Sequence, residues 1–388
     1  MTPRLSTAAH EIPGSATVGL GNAPAVHPET LSLAIGEPFG PPPPAAVEAA
    51  VRCAGEGASG YGPPGGIGAL KEQLAHDQGR RTGLDWATDQ VLVTVGGKAA
   101  LLDGMRCMLE PGDEVLVPAP YWPSFLDQVR WAGGRPRVVP PGEDLQVDVA
   151  ALEAMVGPRT RAVIVNDPIN PTSRTWGAER LAAVAELAMR HDLWLVVDQV
   201  YAALVLDAEP CTLLEVAPEV RERTLVVESF SKRFALCGMR LGAALGPRPL
   251  IAAMSRLASA TVTHPCLVAQ HAGLAALEHG RDWVRERNED YRRLRAIATG
   301  AIEAIEVLDC PRPESAFYLF PRLRSAAGAL PGDDEVAARL LREHGLRVLP
   351  GSIFGAPGHL RLCYAADESR LRAALGRLDQ GLSAIAAA

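Results

Sequence analysis

Seven short apolar runs, at residues 91–95, 114–118, 135–139, 162–166, 193–197, 224–229 and 242–246, alternate with longer segments of helical period. Each run is too brief to be a buried helix and is bounded by turn formers, as buried strands are. Strands separated by helix-length spacers pair mainly in parallel, with helices covering the sheet. The loops leaving their carboxyl ends then carry the chemistry. Three polar clusters follow such strands: Asn170 after 162–166, Asp198 after 193–197 and Lys232 after 224–229.

Beyond about residue 280 the pattern changes. A charged helix over 283–304, strands at 316–320, 346–349 and 360–364, a helix over 335–344 and a final helix from 367 read as a smaller α+β domain. The first forty residues are polar, rich in Gly and Pro, and contain Leu31-Ser-Leu-Ala-Ile-Gly36. They are expected to form an arm that folds onto the body or a partner subunit. The predicted organisation is therefore an arm over 1–40, a large domain over 41–280 and a small domain over 281–388, which 388 residues accommodate.

A net charge of −7 disfavours a general nucleic-acid or anionic-membrane surface, so the expected ligand is small. The seven cysteines are scattered and include no C-x-x-C pair, which supports neither a zinc site nor a disulfide framework. They read as free thiols in a reducing compartment. No leader-like run and no stretch approaching the ~20 apolar residues of a membrane helix occurs, so the expected location is cytoplasmic.

Ser229-Phe-Ser-Lys-Arg-Phe-Ala-Leu-Cys-Gly-Met-Arg-Leu-Gly242 sets Lys232 at a strand end beside two hydroxyls, the fixed cation of Arg240 and two glycines. This suits an amine nucleophile next to an anionic cofactor, although most lysines are surface residues. Asp198 followed by Tyr201 reads either as a helix cap or as a buried carboxylate needing a partner. Asn166-Asp-Pro-Ile-Asn-Pro-Thr172 is a turn. Thr94-Val-Gly-Gly-Lys98 opens a helix with exposed N–H groups, a weak anion site. Trp122, in Ala119-Pro-Tyr-Trp-Pro-Ser124, reads alone as core, and Arg361, in Gly358-His-Leu-Arg-Leu-Cys-Tyr364, as a solvent-facing strand residue.

The Lys232 run resembles the S-x-S-K-x(5)-G-x-R-x-G signature of class I/II aminotransferases, the aspartate aminotransferase-like fold-type I enzymes that use pyridoxal 5'-phosphate (PLP). All of the signature's fixed positions match. The resemblance extends in order from Gly36 to Arg361 and implies a large domain with a mainly parallel seven-stranded sheet. It implies that Lys232 forms an aldimine with PLP and then moves the substrate α-proton. Asp198 is implied as partner of the pyridine nitrogen, Tyr201 and Asn170 as contacts of the ring hydroxyl, and Trp122 as a face against the ring. Gly97, Lys98, Ser229, Ser231 and Arg240 are implied to bind the phosphate. Arg361 is implied to clamp the substrate carboxylate, with Gly36, Trp122, Asn170 and Phe317 as further substrate contacts.

Tyr61, in Tyr61-Gly-Pro-Pro-Gly-Gly-Ile67, and Thr263 fall where the family reaches into a neighbouring subunit, so a homodimer with shared sites is expected. Taken alone, Tyr61 also reads as a turn aromatic. The implied reaction moves an amino group between an amino acid and a 2-oxo acid. Departures cluster at the substrate end: Ser173 and Ser315 stand where glycine is usual, and Gly36-Glu-Pro-Phe39 lacks the usual Asp. Ser259 occupies the position of one branch's dicarboxylate-binding Arg, which leaves other cations open. These departures suit a specialised substrate. PLP-dependent elimination, replacement or cyclisation is the alternative, because motifs at the cofactor do not separate these reactions. A non-catalytic regulator is disfavoured by the short, Pro- and Gly-rich stretch before the matched region.

Overall fold

The computed structural model describes every residue except 1, 2, 7, 8, 11, 23, 25, 26, 59, 208–210, 325–329 and 388. Its centre is a seven-stranded sheet: β1 (Val91–Thr94), β2 (Glu114–Pro118), β3 (Arg135–Val139), β4 (Thr160–Asn166), β5 (Trp194–Asp198), β6 (Thr224–Ser229) and β7 (Gly242–Leu245). The order is β1-β7-β6-β5-β4-β2-β3, parallel throughout except that β7 runs antiparallel to both neighbours. Alternate residues feed two cores. Leu116, Val163, Val165, Leu195, Val197 and Val226 pack on one face, and Val115, Val117, Ile164, Val196, Leu225 and Val227 on the other. Burial on both faces explains why the runs are continuously apolar rather than alternating with polar residues.

Helix Gly96–Met108 closes one face and buries Ala100, Leu101 and Met105. The one-residue offset of β5 from the predicted 193–197 makes Asp198 the last residue of the strand instead of the first of the loop.

The C-terminal layer packs helices Arg281–Glu303, Asp333–His344 and Glu368–Ala386 around a third core. It also holds the antiparallel ribbon β8 (Tyr318–Leu319), β9 (Leu349–Pro350) and β10 (Leu360–Cys363), ordered β8-β10-β9. The predicted strand over 346–349 is divided because its halves serve different partners: Leu346–Arg347 pairs in parallel with Leu31–Ser32, and Leu349–Pro350 pairs with β10. The predicted strand over 316–320 shortens because Ala316 adopts a φ of 48°. Segment 31–33 is stitched into this layer, with the Leu33 N–H donating to Arg347 O at 2.9 Å and the Cys363 N–H to Leu33 O at 2.7 Å. It thereby carries Ala34 to Glu37 to the mouth of the large sheet. Among the described residues no helix is long and apolar enough to cross a membrane.

Candidate active site

A cleft of about 540 Å³ lies between the carboxyl ends of β4, β5 and β6, the start of helix Gly96–Met108, and the C-terminal layer. Lys232 enters it because β6 ends at Ser229, whose hydroxyl caps the short helix Phe230–Arg233 by accepting the Ser231 N–H at 3.2 Å. The Lys232 Nζ donates to Gly36 O at 2.7 Å. Burial lowers its pKa, with Arg361 acting in the same direction, while Cys237 and Glu37 oppose. A partly desolvated amine of this kind loses its proton more readily than a surface lysine.

Asp198 is 3% exposed, and its carboxyl accepts the Val200 N–H at 3.3 Å. Burial, reinforced by Glu228, pushes its pKa up to about 7, against the Val200 bond and Lys232. Among the described residues it has no ion-pair partner. It therefore suits a ligand that brings its own cationic N–H into the cleft.

The turn after β4 is held by side chains. The Asn170 N–H donates to Asn166 Oδ1 at 2.9 Å, and Asn166 Nδ2 donates to Asp198 O at 3.2 Å. Asn170 Oδ1 then accepts from Arg361 Nη1 at 3.2 Å. Arg361 is 3% exposed, donates to Ala34 O through Nη2, and lies 4.6 Å from the Tyr318 ring centre and 5.0 Å from that of Phe354. Its Nε has no hydrogen-bond partner, and among the described residues it makes no ion pair. A desolvated, unpaired guanidinium is a receptor for a planar anion such as a carboxylate.

A second anion cradle forms at the other end of the cleft. Gly96, at φ 74°, turns the chain so that helix Gly96–Met108 starts inside the cleft, and Gly97 follows it. Gly242 backs this turn so closely that a Cβ there would stand 2.5 Å from Gly96 C and 2.7 Å from Gly97 N. Ser229, Ser231 and Arg240 line the same end, and Arg240 is fixed at φ 51° with Nη1 donating to Cys237 O at 2.8 Å. Hydroxyls, a guanidinium and a helix N-terminus together match a phosphate. Trp122 lines the cleft, edge-on to Phe125 at 5.4 Å between ring centres, with Lys98 Nζ 5.0 Å from its own ring centre. The Lys98 pKa is lowered by burial, then by Arg240 and Lys232, against Asp127.

Twelve predicted residues thus line one cleft: Gly36, Gly97, Lys98, Trp122, Asn170, Asp198, Tyr201, Ser229, Ser231, Lys232, Arg240 and Arg361. Three do not. Phe317 is fully buried in the C-terminal core, edge-on to Tyr201 at 5.7 Å, because alternation along β8 turns its neighbour Tyr318 to the cleft instead. Tyr61 is 92% exposed and pairs edge-on with His264, beside Thr263, outside the cleft of its own chain. The motifs also missed Tyr318, Glu37, and Thr17, Val18 and Asn22 around helix Ala16–Gly21. Period two in the predicted strand over 316–320 could have identified Tyr318, whereas nothing local points to the helix. Among the described residues no cluster able to hold a metal ion occurs.

The family model for aminotransferase class I and II matches residues 28–378. An aspartate/prephenate aminotransferase of Thermus thermophilus is 40% identical over 359 residues, covering 91% of each chain. An aspartate aminotransferase of Geobacillus stearothermophilus is 36% identical over 362 residues, covering 92% of each. The solved structure of aspartate aminotransferase from Thermus thermophilus with maleate superposes with a TM-score of 0.92 at 38% identity, over 98% of this chain and 100% of that one.

Proposed function

Because the chain belongs to the class I and II aminotransferases and shares their fold-type I architecture, we propose that its cleft holds PLP and transfers the amino group of an acidic amino acid to a 2-oxo acid. Aminotransferase activity itself follows from the relatives; the cofactor contacts and the substrate are this proposal. The observation that carries it is the convergence of Lys232, Asp198 and Arg361 in one cleft, with an anion cradle at its far end. The residues fit the cofactor: the buried Asp198 lacks a cation, and the turn at Gly96 and Gly97 leaves no room for a Cβ on Gly242. Gly97 and Lys98, through their backbone N–H groups at the helix start, would hold the phosphate together with Ser229, Ser231 and Arg240. Asp198 would face the ring nitrogen, Tyr201 and Asn170 the ring hydroxyl, and Trp122 the ring face. When bound, PLP supplies an electron sink that makes the substrate α-proton acidic.

The chain's own groups do the rest. Lys232, with its lowered pKa, provides the amine that holds the cofactor and then carries the proton at the α-carbon. Arg361 receives the α-carboxylate through the fork that Asn170 and Ala34 orient. The acidic substrate is supported by Lys98, whose amine projects beside Trp122 into a cleft already rich in cations. The dicarboxylate maleate present with the Thermus thermophilus relative agrees with this. The division into arm, large and small domains at residues 40 and 280 belongs to the same proposal, as do a homodimer sharing Tyr61 and Thr263 between sites and a cytoplasmic setting for a chain whose seven cysteines are all free.

Steady-state kinetics across a donor panel tests the substrate. Aspartate or glutamate is expected to give the highest kcat/KM, and Lys98→Ala to lower it about tenfold or more for acidic donors while sparing neutral ones. Equal losses for both classes would contradict the role of Lys98.

A further inference from the structure

Two departures noted in the sequence, Ser173 and Ser315, are one structural unit. Both are fully buried, and the Ser315 hydroxyl donates to Ser173 O at 2.9 Å. The same carbonyl accepts the Glu314 N–H at 2.9 Å and the Ser315 N–H at 3.0 Å. Ser173 holds φ 56°, a backbone conformation that glycine adopts more readily, yet its hydroxyl accepts the Tyr318 N–H at 3.0 Å. Glycine there would relax the backbone and leave a buried N–H without its partner. The serine keeps the turn and gains a tether to β8.

That tether ends on a residue in contact with three parts of the cleft. Tyr318 Oη lies 2.7 Å from Tyr201 Oη. Its ring lies 4.6 Å from the Arg361 guanidinium. Its hydroxyl also fills the space beside Gly36, where a Cβ would come within 2.1 Å of it, and Gly36 O is the acceptor for Lys232 Nζ. We propose that Tyr318, fixed by the Ser173–Ser315 pair, is the positioning residue that sets both the Tyr201 hydroxyl and the Arg361 guanidinium for the reaction. The inference rests on the PLP reading above. Once Tyr201 donates to a bound ring oxygen, the proton in the 2.7 Å pair must come from Tyr318, and that donation strengthens the one Tyr201 makes.

The test uses cofactor-loaded enzyme and two readouts other than turnover: the pH midpoint of the bound cofactor's visible absorption band, and the calorimetric Kd for succinate. Tyr318→Phe keeps the ring under Arg361 and removes the hydroxyl. It is expected to move the midpoint upward by about 0.5 pH unit or more, because a ring oxygen less stabilised as an anion keeps its neighbouring proton to higher pH. Its succinate Kd is expected to stay within about threefold of wild type, whereas Tyr318→Leu, which removes the ring, is expected to weaken succinate about tenfold. Ser173→Gly is expected to shift the midpoint in the same direction as Tyr318→Phe, and Ser173→Thr, which retains the hydroxyl, to shift it less.

A Tyr318→Phe enzyme with a wild-type midpoint, changed only in melting temperature, would overturn the proposal, and should Tyr318→Leu not fold the Phe variant decides. A wild-type protein that gains no visible band from PLP would instead overturn the reading beneath it.

Discussion

Asp198 and Asp167 both have carboxyls pushed up to about 7 by burial, yet only Asp198 opens on the cleft that holds Lys232. A perturbed pKa by itself would have nominated both; geometry separates them. A folded-state pKa above the unfolded value means that the native protein binds a proton which the unfolded chain has released. The contribution of Asp198 to stability is therefore fully present below about pH 4 and is lost as pH rises through about 7. In cofactor-free protein, Asp198→Asn is thus expected to be more stable than wild type at pH 8, by on the order of 1–4 kcal/mol. The difference should vanish near pH 4. Denaturant unfolding at the two pH values measures this, and a variant less stable than wild type at pH 8 would contradict it. The same variant should lose nearly all transamination, since asparagine cannot hold a protonated ring nitrogen as a carboxylate does.

Among elements, the turns at the sheet edge carry the site, and their legibility varied with how local their physics is. The Lys232 turn was readable because a strand end, a Ser229 cap, Gly238, Arg240 and Gly242 lie within fourteen consecutive residues, 229–242. The Gly97 turn was ambiguous alone, since its tight contact is with Gly242, more than a hundred residues away in sequence. Gly242→Ala is accordingly expected to lower PLP affinity about tenfold or more, because its Cβ would displace the Gly96 and Gly97 backbone. Equilibrium titration of apoenzyme with PLP reads this out, and unchanged affinity would remove the turn from the phosphate site. Ser173 stands where glycine is usual, yet it holds the left-handed φ of that turn and its hydroxyl braces β8. Phe317 and Tyr318 exchanged places for a similar reason. A resemblance names a segment, whereas the pleat decides which of two neighbours faces the ligand.

At the scale of the molecule, the sheet and its edge were legible because doubly buried strands announce themselves as continuous apolar runs. Strand order, the antiparallel β7 and the helix at 16–21 were not, being products of tertiary packing. Tyr61, 92% exposed beside His264, is what a residue serving another copy's cleft would look like from one chain. Sedimentation is therefore expected to give twice the 41.1 kDa chain mass. Mixing a Lys232→Ala chain with a Tyr61→Ala chain should produce heterodimers with one intact site each, recovering activity that neither parent has. A monomeric, fully active enzyme would exclude shared sites.

The most direct test of the central claim is a single half-reaction. PLP-loaded protein, mixed with aspartate and no 2-oxo acid, is predicted to lose its visible band and release one 2-oxo acid per bound cofactor without free ammonia. Later addition of a 2-oxo acid should restore the band, and Lys232→Ala should do neither at a comparable rate. Stoichiometric ammonia release, or normal turnover by Lys232→Ala, would contradict the account.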